Sequence, residues 1–223
     1  MDIVHLYSRR RNRPPASGLL AVTLLLTQGA CFGLWHRIDR NQLDRIPNDE
    51  KLALFDAENE VIIAKDNIEA AEREISDGRA TVDRARDKVK LLDDSGEVSG
   101  INSPDVLALY KEWAKLRLEL RLDEMRHLYV KREVFEDQLW LARARYEHAK
   151  AQLVHDHDPE RGAGVNLTGF EEQVADWEKK VADGLSRMDE SRIMQEEVRS
   201  RYDDVSQRLQ EASGGAFGGP WAD

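Results

Sequence analysis

The sequence predicts an all-α protein: an elongated antiparallel three-helix coiled-coil bundle that follows an N-terminal signal or anchor segment. Of its 223 residues, 34% are charged, 41% are hydrophobic and only 6 are proline, a composition typical of helix-rich domains. Bulky aliphatic residues recur every seven positions over a long stretch of the chain, as they do along coiled-coil seams. Polar stretches that contain glycine divide the apolar pattern into three parts of similar length.

Charge and cysteine content exclude several classes of protein. A single cysteine excludes a disulfide scaffold and a cysteine-rich zinc module. Four arginines against Asp2 give residues 1–30 a net charge of +3, so the remainder carries −13 of the total of −10. Because an acidic body repels phosphate backbones, we expect no nucleic-acid partner.

Residues 1–31 have the pattern of an export or anchoring segment. An arginine cluster and two prolines precede the apolar residues 19–26, and Gly29, Ala30 and Cys31 follow shortly after. The arrangement resembles a bacterial lipoprotein signal, in which a small residue precedes an invariant cysteine. The aliphatic residue that this family usually has three positions before the cysteine is Gln28 here. The resemblance implies that Cys31 becomes the lipidated first residue of the mature protein, stably anchored by its acyl chains.

Three other interpretations of this segment remain open. Residues 16–35 would span about 30 Å as a helix, just enough for a single membrane span, although polar residues and glycines dilute its second half. A signal that is cleaved and releases a free body is the third interpretation, and an ordinary buried helix with an unusual flank is the fourth. The membrane interpretations all place the acidic body outside the cytoplasm, because clustered arginines stay on the inner side. We therefore expect a cell-envelope protein that faces the periplasm or the exterior.

A linker and a three-helix domain are expected to follow. Residues 32–47 are predicted to be a tether of up to about 50 Å when extended, and residues 48–212 to form the coiled-coil domain. Its first helix is predicted over about 49–92, with Asn48 as N-cap. The seven-residue repeat consists of Leu54, Val61, Ile68, Ile75, Val82 and Val89. Three positions after each of these lie mostly small residues: Ala57, Ala64, Ala71, Gly78, Ala85 and Leu92. This alternation resembles the alanine-rich antiparallel packing called an Alacoil.

The second helix, predicted over about 104–155, is apolar on two sides. Ser103 as N-cap and Pro104 at the first helical position mark its start. One stripe comprises Leu109, Trp113, Leu116, Leu120, Val130, Val134 and Leu141. The other comprises Leu118, Met125, Leu128, Phe135, Leu139, Ala142, Tyr146, Ala149 and Leu153. A helix with two apolar faces needs two neighbours, so we expect it to lie between the other two helices.

The third helix is predicted over about 169–212, with Thr168 and Glu171 as a capping box. Gly184 and two nearby polar residues interrupt its apolar pattern and are expected to weaken its centre. Residues 213–223 are glycine-rich and are predicted to be a flexible tail. The tail carries Phe217 and Trp221, two aromatic residues that could dock a partner; the alternative is that the tail lies on the bundle.

Catalytic and metal-binding patterns are weak. His155, Asp156, His157 and Asp158 are the best metal-ligand candidates, but histidines also suit a helix C-terminus and aspartates before proline also start turns. His127 lies within an apolar stripe, where a core or rim position is the more common role. We therefore predict no metal site, no cofactor and no enzymatic activity.

The function that these features indicate is a membrane-tethered structural or interaction protein of the cell envelope. We expect a non-catalytic scaffold or spacer whose partners are envelope proteins and, through the N-terminal anchor, the membrane. The alternative is a periplasmic chaperone-like or secretion accessory protein that grips clients between helical arms. The sequence leaves the partner and the oligomeric state open.

Overall fold

The computed structural model describes residues 33–95, 101–157 and 159–217. These residues belong to the second of two compact units of the chain, Gly33–Asp223. The predicted signal or anchor with Cys31, and also Asp158 and Trp221, lie outside the described residues. The described part is helical and contains no strand, which confirms the all-α prediction. Its elements are α1 (Arg40–Leu43), a 3-10 turn (Glu50–Leu54), α2 (Phe55–Ser95), α3 (Pro104–His157), α4 (Pro159–Gly162) and α5 (Leu167–Ala212).

Two helix starts differ from the predicted ones. The chain enters α2 through the 3-10 turn, where Leu52 N donates to Asp49 O at 3.3 Å, so Asn48 does not cap an α-helix. At α5 the N-cap is Asn166, whose Oδ1 accepts a hydrogen bond from Gly169 N at 3.1 Å. Asparagine is among the best N-cap residues, and it starts the helix two residues before the predicted position.

Helix α3 lies between α2 and α5, as its two apolar stripes predict. It packs on both helices, whereas no Cα atom of α2 comes within 8 Å of one of α5 in the described part. Both outer helices run in the direction opposite to α3. Ion pairs near their two ends show this: Lys115 with Asp93, Arg145 with Glu60, Arg145 with Glu178, and Arg201 with Glu119.

The seven-residue repeat of α2 faces α3. Its six positions are buried or half-buried, and so are the six positions that follow each of them by three residues, which confirms the predicted seam. Ile75 and Val82 form a cluster with Met125 of α3. A Cβ atom at Gly78 would overlap Met125 Sδ, so a residue without a side chain is what lets the two helices approach closely here.

A second cluster joins α2, α3 and α5 near the start of α3, and Leu92 is the buried residue that α2 contributes to it. Trp113 is 1% exposed and packs with Val205 and Leu209. Its Nε1–H donates to Ser206 Oγ at 3.0 Å, so the buried indole keeps a hydrogen-bond partner. Side chains from both outer helices therefore cover Trp113 and its neighbours at this end of α3.

The described part of the predicted tail folds back onto this cluster. Gly214 and Gly215 adopt φ values of 60° and 87°, which residues with side chains rarely adopt, and turn the chain after α5. Phe217 then lies half-buried with its ring 5.3 Å from that of Tyr110. Its backbone N–H donates to Ser213 Oγ at 3.1 Å. Of the two interpretations of Phe217, the structure therefore favours a side chain packed on its own bundle over an aromatic free to dock a partner.

Candidate functional site

Residues 33–38, here called the strap, lie across α3 and α5 and are held by three long-range hydrogen bonds. Gln173, which is 0% exposed, accepts from His36 N at 2.9 Å and donates its Nε2–H to His36 O at 3.2 Å. Glu147 accepts from Ile38 N at 2.9 Å. Glu147 also forms an ion pair with the buried Lys150. Both polar groups of the His36 backbone are therefore satisfied by one side chain of α5.

The side chains of the strap fit the two helices closely. Leu34 packs against the cluster formed by Leu141 and Ala144 of α3 and by Trp177 and Val181 of α5. The ring of His36 lies 5.4 Å from the ring of Phe170. A Cβ atom at Gly169 would lie only 2.6 Å from His36 Nε2. Glycine at position 169 therefore leaves the space that the strap needs against the first turn of α5.

The described part of the predicted linker is thus bound to the helices and not extended as a tether. After the strap, Asp39 caps α1 in a capping box with Gln42, and Ile46 is 3% exposed. Nothing in the local pattern of residues 32–47 indicates this, because the groups that bind the strap lie more than 100 residues further along the chain.

The histidines near the end of α3 face different partners. His155 Nδ1 lies 3.3 Å from Asp156 Oδ1, and His157 Nδ1 lies 2.9 Å from Glu50 Oε2. Gln152 donates to Asp156 Oδ1 at 2.9 Å, and this hydrogen bond lowers the pKa of the exposed Asp156 carboxyl. In the described part of the chain, no three His, Cys, Asp or Glu side chains are grouped as a metal site requires. Both histidines occupy the last turn of α3, where a positive side chain suits the helix dipole.

An open depression of about 450 Å³ lies beside His155, between the end of α3 and the start of α5. The rest of its lining comes from residues 162–168, which run from the end of α4 through the connecting loop into the first turn of α5. These contribute glycine, alanine and aliphatic residues, together with Asn166, which already caps α5, and Thr168. His155 is its one titratable lining residue, so the depression holds no pair of groups for acid–base chemistry.

His127 occupies the rim of the α3–α5 seam, as the sequence predicts. Its Nδ1 lies 2.8 Å from Ser191 Oγ, and Ser191 Oγ donates to Met188 O at 2.8 Å. Since the serine hydrogen is used by Met188, we assign Nδ1 of His127 as the donor to Ser191. Burial lowers the pKa of His127, and the charges of Lys131 and Arg192 lower it further. The pair is a polar contact between helices, because a serine that already donates to a carbonyl is not activated as a nucleophile.

Comparison with known proteins gives no match: no protein family, curated protein or solved structure resembles this chain. In the described residues, none of the helices combines the length and the hydropathy of a membrane span.

Proposed function

We propose that the chain is a membrane-tethered, non-catalytic scaffold or spacer of the cell envelope, in which α2, α3 and α5 form one antiparallel coiled-coil bundle. The strap is the observation that carries this proposal. Only Phe32 separates Cys31 from the first residue of the strap. A lipid on Cys31 would therefore be followed almost at once by residues that Gln173 and Glu147 bind. A force on the anchor would pass directly to the helices.

The helices supply what a spacer needs. At 1.5 Å per residue, α2, α3 and α5 are about 60, 80 and 70 Å long. Salt bridges join α3 to both outer helices along their flanks. Two histidines considered as catalytic or metal-binding candidates each contact a neighbouring side chain: His127 contacts Ser191, and His157 contacts Glu50.

The experiment that tests the anchor compares the wild type with two variants of the signal segment. Metabolic labelling with a fatty acid, membrane fractionation and the mass of the mature N-terminus are measured for each. We expect Cys31→Ala to lose the label and to remain unprocessed. Gln28→Leu, which restores the aliphatic residue of the lipoprotein pattern, should be processed at least as fast as the wild type.

Three outcomes decide between the alternatives. An unlabelled wild type that stays in the membrane with residues 1–31 attached would replace the lipid with a single-span anchor. An unlabelled, processed protein in the extracytoplasmic fraction would mean a cleaved signal and a free body. A wild type found only in the cytoplasmic fraction would overturn the proposed function altogether.

A further inference from the structure

The beginning of α2 has a second apolar stripe that points away from α3. Leu52, Phe55, Ile62 and Ile63, here called the outer stripe, are 57%, 55%, 50% and 59% exposed. Their spacing places them on one side of the helical segment, about three turns or 16 Å long. The opposite side of the same turns carries the repeat that faces α3.

The side chains of the outer stripe are larger than the side chains on the opposite face of the same turns, which packs against α3. On the side that faces α3, the same turns carry Leu54, Ala57, Val61 and Ala64, so two of four residues there are alanine. Single exposed apolar residues are ordinary on protein surfaces, but several large ones on one face mark an interaction site. Within the described part, α3 is the one long helix that contacts α2, so the outer stripe has no partner helix there.

The charges around the outer stripe are negative. Residues 55–70 contain five acidic residues and a single basic one, Lys65. Glu60 is paired with Arg145, at 3.8 Å, and Glu69 with Arg73, at 4.0 Å. The other acidic residues of this stretch, Asp56, Glu58 and Asp66, are exposed. A second copy of the chain would bring acid against acid on this face, whereas lysine or arginine at the edge of a partner would be complementary.

We propose that the outer stripe is a docking surface for a basic amphipathic helix of a partner protein. The partner helix would carry apolar residues at intervals of three and four over about three turns, which pack against Phe55 and Ile62. Lysines or arginines beside these residues would face Asp56, Glu58 and Asp66. This inference deepens the proposed scaffold function, since it names the chemistry of the partner that the scaffold would hold.

The test uses the full chain in detergent micelles, with empty micelles as the blank. The probe is an 18-residue labelled peptide with leucines at helical spacing and lysines beside them, and its fluorescence anisotropy is measured. We expect saturable binding that weakens as salt is added. The variant Phe55→Ala/Ile62→Ala should bind at least tenfold more weakly. Because both side chains are exposed, the variant should keep the wild-type circular dichroism.

Two matched controls make the result specific. Ile193→Ala/Met194→Ala removes two side chains of α5 that are 53% and 56% exposed, and it should bind the probe like the wild type. A second peptide with the same leucines but with glutamates in place of lysines should not bind. The proposal would be overturned if the α5 variant lost as much affinity for the lysine peptide as Phe55→Ala/Ile62→Ala does. It would also be overturned if the glutamate peptide bound as tightly as the lysine peptide, because the outer stripe would then not be a specific site.

Two further outcomes would assign another occupant and so overturn the proposal. One is self-association of the wild type in sedimentation that Phe55→Ala/Ile62→Ala abolishes, because the occupant would then be a second copy. The other is probe binding that appears only after Arg9, Arg10, Arg11 and Arg13 are replaced by glutamine, because the occupant would then be the chain's own basic segment. Peptide binding tests the docking surface on α2, whereas fatty-acid labelling tests the lipid anchor at Cys31. Because labelling does not involve α2, either proposal can fail without the other.

Discussion

Gln173 of α5 binds the backbone of His36, 137 residues earlier in the chain, through both atoms of its side-chain amide. The amide accepts a hydrogen bond from the N–H of His36 and donates one to its C=O, as the backbone of a neighbouring strand does in a β-sheet. Because the Gln173 side chain is completely buried, its amide would lack an alternative partner if these two bonds were lost. The contact fixes which residue of the strap lies at which level of α5, and therefore where the chain enters the helical unit.

Replacing Gln173 with leucine should release the strap. The substitution keeps an apolar side chain of similar size but leaves the N–H and C=O of His36 without partners. Such a loss costs about 1–3 kcal/mol for each buried group. We expect a lower free energy of unfolding and faster amide hydrogen exchange at residues 34–38. Gln210→Leu, an exposed position on the same helix, is the control. Unchanged exchange in the strap would contradict the assigned role of Gln173.

Adding one methyl group at Gly169 should also loosen the strap. The Cβ atom of Gly169→Ala would lie 2.6 Å from His36 Nε2 and 2.7 Å from Asn166 Nδ2, so the histidine ring must move. We expect faster tryptic cleavage after Arg37 and Arg40, both of which are exposed. The exposed neighbour Thr168 provides the control as Thr168→Ala. Equal cleavage rates for both variants would show that the strap does not depend on this close approach.

The His127–Ser191 contact should make stability depend on pH. The pKa of His127 is lower in the folded protein than the value of about 6.5 for an unperturbed histidine. The unfolded chain therefore binds the proton first as pH falls, and stability decreases from about pH 6.5 downwards. Urea unfolding between pH 8 and pH 5 should show a smaller decrease for His127→Leu/Ser191→Ala than for the wild type. Ser191→Ala alone keeps the histidine and should therefore keep most of the pH dependence of stability. A wild type whose free energy of unfolding does not change between pH 8 and pH 5 would contradict the prediction.

Asp137 should respond to pH with the opposite sign. Burial raises the pKa of its carboxyl, and Glu133 raises it too, whereas Lys180 and Arg187 lower it. A raised folded pKa means that the folded state favours the protonated form, so the contribution of Asp137 decreases as pH rises through that pKa. We expect Asp137→Asn to be at least as stable as the wild type at pH 7, with the difference vanishing below about pH 4. Glu197→Gln, at an exposed position of α5, is the control, and a clear loss of stability of Asp137→Asn at pH 7 would refute the prediction.

The helices could be predicted because their signals are local and periodic. The seven-residue repeat from Leu54 to Val89 specifies the face of α2 that α3 covers, and the two stripes of α3 specify its central place. Gly184 looks like an interruption in the sequence. In the structure it is buried, and a Cβ atom there would lie 3.0 Å from Val134 Cγ2. It is a packing position, which helical periodicity alone does not reveal.

The strap could not be predicted in the same way. The strap is held by hydrogen bonds from its backbone to the side chains of Gln173 and Glu147, and no periodic pattern in residues 33–38 predicts these bonds. The one available signal was a polar Gln173 between Phe170 and Trp177, on the side of α5 that carries large apolar residues. A glutamine at such a position can equally bind another side chain or lie at the rim of the seam, so it does not by itself indicate a bound backbone.

In the described part, α3 is the shared support of the other two long helices, because α2 and α5 both pack on it while their backbones stay apart. Deleting α2 would remove Leu92 from the cluster around Trp113 but would leave Trp177 and the strap in place, whereas deleting α5 would remove Gln173, which binds His36. Residues of α3 are thus constrained on two sides at once. A substitution on α3 should disturb both of its neighbours, whereas a substitution at the start of α2, away from the Trp113 cluster, should leave the strap intact.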